Sequence, residues 1–346
     1  MESGRSKKID DLKAIAMILV VLGHAFSYYE QTNGLGGIWY LCKEVIYAVH
    51  VPLFFVIAGY LCRPRAVKGY LWSKVCRILI PFYLFALLKV MYTWLFSVEF
   101  SHTGGFWSDI AEVFYAGSVY WFCYALFVLY LIAPLLWKRK SSTLLAIVVV
   151  LIIANTVRDY FGIRVTSFLQ MNTARYYSIY FIAGMCMNRR EIGEKVTRII
   201  AGKRAGVLAA LAAAAMLWID LSGFGVAVFR VIEAFSLMIP LYRILAARER
   251  CTASQKAGAF YRLMRLTDKT FETIARYTLQ IMLFDSFFKV VLFQIFGRTT
   301  GINIGILFVI TALNIGMAVV CCKVIEQIPY VHFLFGLQLS RKAGRS

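Results

Sequence analysis

Apolar residues are gathered into long runs separated by short polar connections. Two of the runs, Thr143–Val157 and Tyr176–Met187, are shorter than the roughly 20 residues that a membrane-spanning helix usually needs. The stronger runs are Leu12–Tyr29, Val45–Leu61, Ile78–Phe96, Tyr120–Trp137, Val207–Leu221, Val226–Leu245, Thr278–Phe296 and Ile302–Cys322. With the two shorter runs included, the pattern predicts an all-α transmembrane helix bundle of about ten spans. No internal repeat or linker interrupts it, so we expect a single domain over residues 1–346.

Lysine and arginine are concentrated in every second connection. The connections at 30–40, 97–119 and 222–225 contain almost none, whereas those between them are basic. Cytoplasmic loops carry such an excess, so the alternation predicts that both weak runs span and that both termini are cytoplasmic. One outward segment breaks the rule, and the sequence leaves open whether its arginines bind a substrate: Arg158, Arg164 and Arg175.

Composition supports the same class of protein. Of the 346 residues 60% are hydrophobic and only 16% are charged, which predicts a multi-pass protein of the cell's inner (plasma) membrane in contact with lipid. The net charge of +20 would suggest nucleic-acid binding in a soluble chain, but the positive-inside pattern accounts for it here, so we expect no nucleic-acid partner. The eight cysteines have no metal-ligand spacing, and neither a metal nor a permanently bound cofactor is expected. No signal-peptidase site follows the first run, so we interpret it as an uncleaved span.

Ionisable side chains inside the apolar runs are the candidate catalytic groups. From the predicted topology and the helical rise, His24 lies roughly 18–20 Å from the cytoplasmic end of its span, and His50 and Asp285 lie at a similar depth. Each also has a purely structural interpretation. His24 could bond to a neighbouring helix, His50 could be an interfacial helix-start residue, and Asp285 could simply pair with Lys289 one turn on.

Two further ionisable residues, Lys89 and Glu233, lie at a comparable level. Glu233 could be neutralised by Arg230, three residues earlier on the same helix. Internal pairs of this kind make buried charges less diagnostic of function.

Basic residues at the cytoplasmic ends of the spans suggest a second site. Lys13, Lys74 and Arg77 could be ordinary topology determinants in contact with lipid head groups. Alternatively, they surround one cytoplasmic entrance and bind a phosphate-bearing ligand.

Six segments, taken in order, resemble the membrane-bound acyltransferase family 3, from Ile9 to about Ile325. They are IDDLKAIAMILVVLGHAF, YAVHVPLFFVIAGYL, WSKVCRILIPFYLF, VYWFCYALFVLYLIAPLL, YYSIYFIAGMCM and YTLQIMLFDSFF. The block His50–Phe55 is most similar to the fucose-4-O-acetylase-like branch. The family has an arginine, ten intervening residues and an essential histidine, which correspond to Lys13 and His24 here. Many members have a histidine at the position of Asp285.

The resemblance implies a multispan enzyme that uses cytoplasmic acyl-CoA, often acetyl-CoA, to acylate hydroxyls of sugars or cell-envelope polymers. Our hypothesis from the residues is that His24 is the base for the acceptor hydroxyl, that His50 orients His24 or contacts the acceptor, and that Asp285 is a weaker second partner. Lys13, Lys74 and Arg77 would hold the CoA phosphates, although lysine lacks the bidentate geometry of arginine.

Two other functions remain open from the sequence alone. A saccharide or lipid-linked glycan transporter would also have about ten spans and ionisable groups at mid-depth. A family member without activity could be a structural partner in a glycan-assembly complex. The sequence also leaves open the acceptor, the acyl chain, the oligomeric state and whether an acyl-histidine intermediate forms.

Overall fold

The computed structural model describes residues 7–64, 66–96, 105–117, 120–163, 168–224, 226–254, 259–299 and 303–337. These residues are almost entirely α-helical, and no β-strand occurs among them, which confirms the predicted all-α class. The helices are α1 Lys7–Asn33, α2 Gly37–Tyr60, α3 Val67–Lys74, α4 Ile80–Phe96, α5 Phe106–Tyr115, α6 Trp121–Leu136, α7 Ser141–Tyr160, α8 Met171–Met187, α9 Arg190–Ala201, α10 Lys203–Ile219, α11 Ala227–Ser254, α12 Ala259–Arg276, α13 Thr278–Thr299, α14 Ile304–Ile325 and α15 Val331–Leu334.

Among the described residues, six helices are long and apolar enough to cross a membrane, judged by length and composition. They are α2, α7, α10, α13, α14 and the helix that α3 and α4 form together through the π-helical turn Val75–Leu79. The four other predicted spans lie in α6 and α8, which have only 16 and 17 residues, and in α1 and α11, which are long but carry charged residues. A multi-pass helical protein is therefore confirmed, while the count of ten spans stays a prediction.

Helix α1 packs against α13 at two levels of the bundle. Its first half shares a buried cluster with the start of α13, which includes Met17 and Ile281. Its second half shares another cluster with the end of α13, which includes Phe26 and Phe293. The two helices therefore run parallel, so residues further along α1 lie beside residues further along α13.

The largest buried cluster is formed by α2, α4, α6 and α8. Within it α2 and α8 also run parallel, because the ring of Phe55 stacks on Tyr177 at 4.6 Å and the next turns meet at two glycines, Gly59 and Gly184. Helix α2 packs against both α1 and α8, so it joins this cluster to the centre of the bundle.

Ion pairs fasten the amino-terminal end of α1 to α11 and α12. Lys7 Nζ lies 2.6 Å from a carboxylate oxygen of Asp268, and Arg248 bridges Asp268 at 2.7 Å and Asp11 at 3.1 Å. Because three helices converge on one network, the start of α1 has a fixed position relative to α11 and α12.

Candidate active site

His24 and Asp285 meet between the parallel helices α1 and α13. The imidazole Nδ1 lies 2.7 Å from Asp285 Oδ2. A carboxylate accepts hydrogen bonds, so Nδ1–H donates and Nε2 is left with its lone pair. The His24 side chain is 35% exposed whereas that of Asp285 is 2% exposed. The imidazole is thus held by a buried carboxylate while about a third of its side chain, 35%, remains exposed.

The carboxylate of Asp285 makes two further polar contacts, one with α14 and one within α13. Asn314 of α14 donates from Nδ2 to Asp285 Oδ1 at 2.7 Å, and Lys289 Nζ lies 4.0 Å from Oδ2. The expected pairing with Lys289 therefore exists, but it is longer than the contact with His24. Asn314 was not among the residues singled out from the sequence, although an amide inside the apolar run 302–322 is a detectable signal.

His50 is buried in the interior of α2, with 2% of its surface exposed. Its Nδ1–H donates to the carbonyl oxygen of Ile46 at 2.6 Å, one turn earlier on the same helix, and the ring of Tyr47 meets it edge-on at 5.0 Å. The interpretation of His50 as an interfacial helix-start residue is wrong, because the helix begins at Gly37, well before it. His50 is within electrostatic range of His24, but its direct partner is its own backbone.

The three basic candidates have separate neighbours. Lys13 Nζ lies 3.9 Å from Asp10, and Lys74 Nζ lies 3.8 Å from the ring centroid of Tyr130. Arg77 is exposed in the π-helical turn.

The segment after α15 lies between the position of Lys13 on α1 and that of Arg77 in the π-helical turn. Leu337 shares a buried cluster with Ala14, next to Lys13, and Gly336 abuts the backbone of Arg77. Both basic positions therefore border one short carboxy-terminal segment.

Comparison with known proteins identifies the family. A model of the acyltransferase domain of acyltransferase family 3 matches residues 6–323. The chain belongs to acyltransferase family 3. No curated protein and no solved structure matches it.

All six candidate residues of this acyltransferase lie within the matched segment. Family membership and the bundle of apolar helices together support a multi-pass membrane acyltransferase. The contact between His24 and Asp285 lies within that domain, and an imidazole paired with a carboxylate is an arrangement that can serve as a general base.

The side chain bonded to Arg230 in this acyltransferase is not Glu233, the partner that the sequence spacing suggested. Arg230 Nε donates instead to Asp220, 3.1 Å away at the end of α10. Glu233 is 3% exposed, and its Oε1 has no hydrogen-bond partner among the described residues. The reason is that the turn after α10 brings Asp220 back over the start of α11.

Two of the arginines that the sequence predicts on the outer side are joined to each other through a shared amide. Arg158 and Arg175 both donate to Asn172 Oδ1, at 2.9 and 3.0 Å, and Arg158 also pairs with Asp159. Arg164 lies outside the described residues. The two described arginines are therefore engaged in contacts between α7 and α8.

Proposed function

We propose that this protein is an O-acetyltransferase of the plasma membrane that transfers an acetyl group from cytoplasmic acetyl-CoA to a hydroxyl of a sugar or cell-envelope glycan. The observation that supports it best is the 2.7 Å contact between His24 Nδ1 and the buried Asp285, with the imidazole side chain still 35% exposed. This geometry leaves Nε2 available to take a proton from a hydroxyl.

The reaction needs one proton to be moved twice. His24 Nε2 takes the proton of the acceptor hydroxyl while the oxygen of that hydroxyl attacks the carbonyl carbon of the thioester. The tetrahedral intermediate then collapses, its C–S bond breaks, and the departing CoA sulfur takes the proton from the imidazolium. Asp285 stabilises that imidazolium and fixes the tautomer with the proton on Nδ1, and Asn314 orients Asp285.

Donor and acceptor approach His24 from opposite ends. Lys13 precedes His24 by eleven residues on α1, or roughly 16 Å of helix. In our proposal Lys13, Lys74 and Arg77 bind the CoA phosphates at the cytoplasmic end, so the pantetheine arm extends along α1 to the imidazole. The acceptor then reaches His24 from the other side, where the predicted topology places the outer surface.

Thioester cleavage separates this proposal from the transporter alternative. Purified wild-type protein in detergent, given acetyl-CoA and a mixture of glycan acceptors, is expected to release free CoA faster than the same buffer does without the protein. Free CoA is measured with a thiol reagent, and acetylated product by mass spectrometry. A transporter for saccharides or lipid-linked glycans has no reason to break the thioester, so a protein that binds glycan but releases no CoA contradicts the proposal.

The donor site predicts a loss of affinity in the double variant Lys74→Ala/Arg77→Ala. Removing two charged contacts to phosphate is expected to weaken acetyl-CoA binding by about tenfold or more. Equilibrium binding of acetyl-CoA measures it, with acetyl-pantetheine, which has no phosphate, as the ligand that the variant binds like the wild type.

The matched control for this variant is Arg190→Ala, which removes an exposed arginine paired with Glu194 on the predicted cytoplasmic side. It is expected to bind acetyl-CoA normally. Equal acetyl-CoA affinity in the double variant and the wild type would leave Lys74 and Arg77 as topology determinants only.

A further inference from the structure

A polar corner lies where α7, α8 and α11 meet, in a different part of the bundle from the His24–Asp285 dyad. Arg158 of α7 and Arg175 of α8 both donate to Asn172 Oδ1. The backbone nitrogen of Val228, in the first turn of α11, donates to the hydroxyl of α7 that precedes Arg158 by two residues, at 3.1 Å. These contacts bring together the end of α7, the start of α8 and the start of α11.

Glu233 belongs to the same corner. Val228 contacts α7, and roughly two turns later on α11 the ring of Phe235 lies 5.6 Å from the ring of Tyr180 on α8. The stretch of α11 between these two contacts therefore runs along both α7 and α8. Glu233 lies within that stretch and is almost fully buried, so its carboxylate is at the floor of the corner.

Four buried polar atoms of the corner have no hydrogen-bond partner among the described residues. They are Asn155 Oδ1, Asp159 Oδ2, Arg175 Nε and Glu233 Oε1. The side chain of Asn155 is fully buried, and its Nδ2 donates to the carbonyl oxygen of Leu151 on its own helix at 2.7 Å. A buried polar atom is costly unless it is hydrogen bonded. The corner therefore offers three acceptors and one donor to a group from outside the protein.

The corner is accessible at its rim. The side chain of Arg230 is 50% exposed and that of Arg158 is 21% exposed, whereas Asn155 and Glu233 are buried. Exposure thus falls from the rim toward the floor, as it does in a binding pocket.

The charges of the corner are balanced. Arg158 pairs with Asp159, and Arg230 pairs with Asp220. The described ionisable side chains of the corner are three arginines and three carboxylates: Arg158, Arg175, Arg230, Asp159, Asp220 and Glu233. Since no net charge remains to be compensated, the corner suits a neutral ligand. Sugar hydroxyls are neutral, and each of them both donates and accepts a hydrogen bond.

We propose that this corner binds a neutral sugar unit through its hydroxyl groups. The hydroxyls donate to the unpartnered oxygens of Asn155, Asp159 and Glu233. A sugar oxygen accepts from Arg175 Nε. An ordered group with several donors matches three acceptors and one donor better than an ion of either sign does.

The inference rests on the proposed function in one respect, because it takes the bound sugar to be a unit of the glycan that is acetylated. Helix α1 packs on α2, α2 on α8, and α8 on α7. A sugar in the corner is therefore a different unit from the one whose hydroxyl meets His24. The corner holds the glycan at a second point while another unit reacts.

The test measures equilibrium binding of glucose, galactose and mannose to the purified wild type, in a detergent without a sugar headgroup. Tetrahydropyran, the same ring without hydroxyl groups, is the reference ligand. We expect at least one hexose to bind about tenfold more tightly than tetrahydropyran. In Asn155→Leu the affinity for that hexose is expected to fall about fivefold or more. The thermal unfolding midpoint of this variant should equal or exceed that of the wild type, because an unpartnered buried oxygen is replaced by an apolar group of similar shape.

Asn188→Leu is the matched control, because it makes the same change at the other end of α8. It is expected to bind the hexose as the wild type does. Glu233→Met removes an unpartnered oxygen from α11 and takes the place of Asn155→Leu if that variant is less stable than the wild type. The same loss of hexose affinity is expected.

The inference is overturned if the wild type binds no hexose more tightly than tetrahydropyran, which would leave ordered water as the partner of these atoms. It is also overturned if a stably folded Asn155→Leu or Glu233→Met protein keeps the wild-type affinity. Binding needs no chemistry, so hexose binding that depends on Asn155 in a protein that never releases CoA would retain the sugar site while excluding the acetyltransferase. Release of CoA by a protein that binds no hexose would exclude this inference alone.

Discussion

His24→Gln is expected to lower acetyl transfer by about 10³-fold or more, because glutamine cannot take the proton of the acceptor hydroxyl. The glutamine amide is similar in size to imidazole and its NH2 group can still donate to Asp285, so the fold of α1 and α13 should be kept. The measurement is the single-turnover rate of acetyl transfer by purified variants with matched thermal unfolding. Acetyl-CoA affinity should change little, because the phosphates bind elsewhere.

Asp285→Asn is the companion variant that separates the proton acceptor from the group that holds it. The shape is retained, but the charge that stabilises the imidazolium is lost and the amide no longer fixes the tautomer of His24. We expect a loss of about 10²-fold or more, and in the double variant with His24→Gln little further loss, because the two residues act as a unit.

His332→Gln provides the control for a histidine outside the dyad, since His332 lies in α15 and its Nδ1 is 3.4 Å from the carbonyl oxygen of Ile328. It should transfer acetyl groups at the wild-type rate. A folded His24→Gln protein with wild-type transfer would remove His24 from the mechanism. His50 would then be the next candidate for the base.

The depth of the candidate groups could be predicted from sequence because helical rise is fixed. Counting residues from the predicted cytoplasmic ends placed His24 and Asp285 at one level, and in the structure they are hydrogen bonded. The same count placed His50 at that level too, yet His50 bonds to its own helix at Ile46. Depth says nothing about rotation around the helix axis, and rotation decides which side chains meet.

Contacts that depend on the path of a connection between two helices could not be predicted from the sequence. Local spacing favoured a pair between Glu233 and Arg230, but Asp220 reaches Arg230 from the preceding helix. The role of Asn314 was hidden for a related reason: an amide in an apolar run signals a partner on another helix without naming it. The family resemblance implied the reaction class, but it specified neither of these two contacts.

Gly184→Ala is expected to destabilise the protein by about 2–3 kcal/mol or more, because the backbones of α2 and α8 touch at this residue. A methyl group on Gly184 would overlap the carbonyl oxygen of Val56, and one on Gly59 would overlap the carbonyl oxygen of Phe181. Backbone atoms inside helices cannot rotate aside as a side chain can, so the two helices must separate. The measurement is the thermal unfolding midpoint in detergent.

Gly316→Ala is the matched control, since it makes the same change inside α14, where a methyl group would meet nothing within 4 Å. Alanine favours the helix over glycine by about 0.5–1 kcal/mol, so this variant should be as stable as the wild type or slightly more so. Equal unfolding midpoints for Gly184→Ala and Gly316→Ala would contradict the close approach of α2 and α8.

The double variant Gly59→Ala/Gly184→Ala tests whether the two glycines belong to one contact, because the first methyl group already moves the helices apart. The second should then cost less than it does alone, and this non-additivity distinguishes one shared contact from two independent ones.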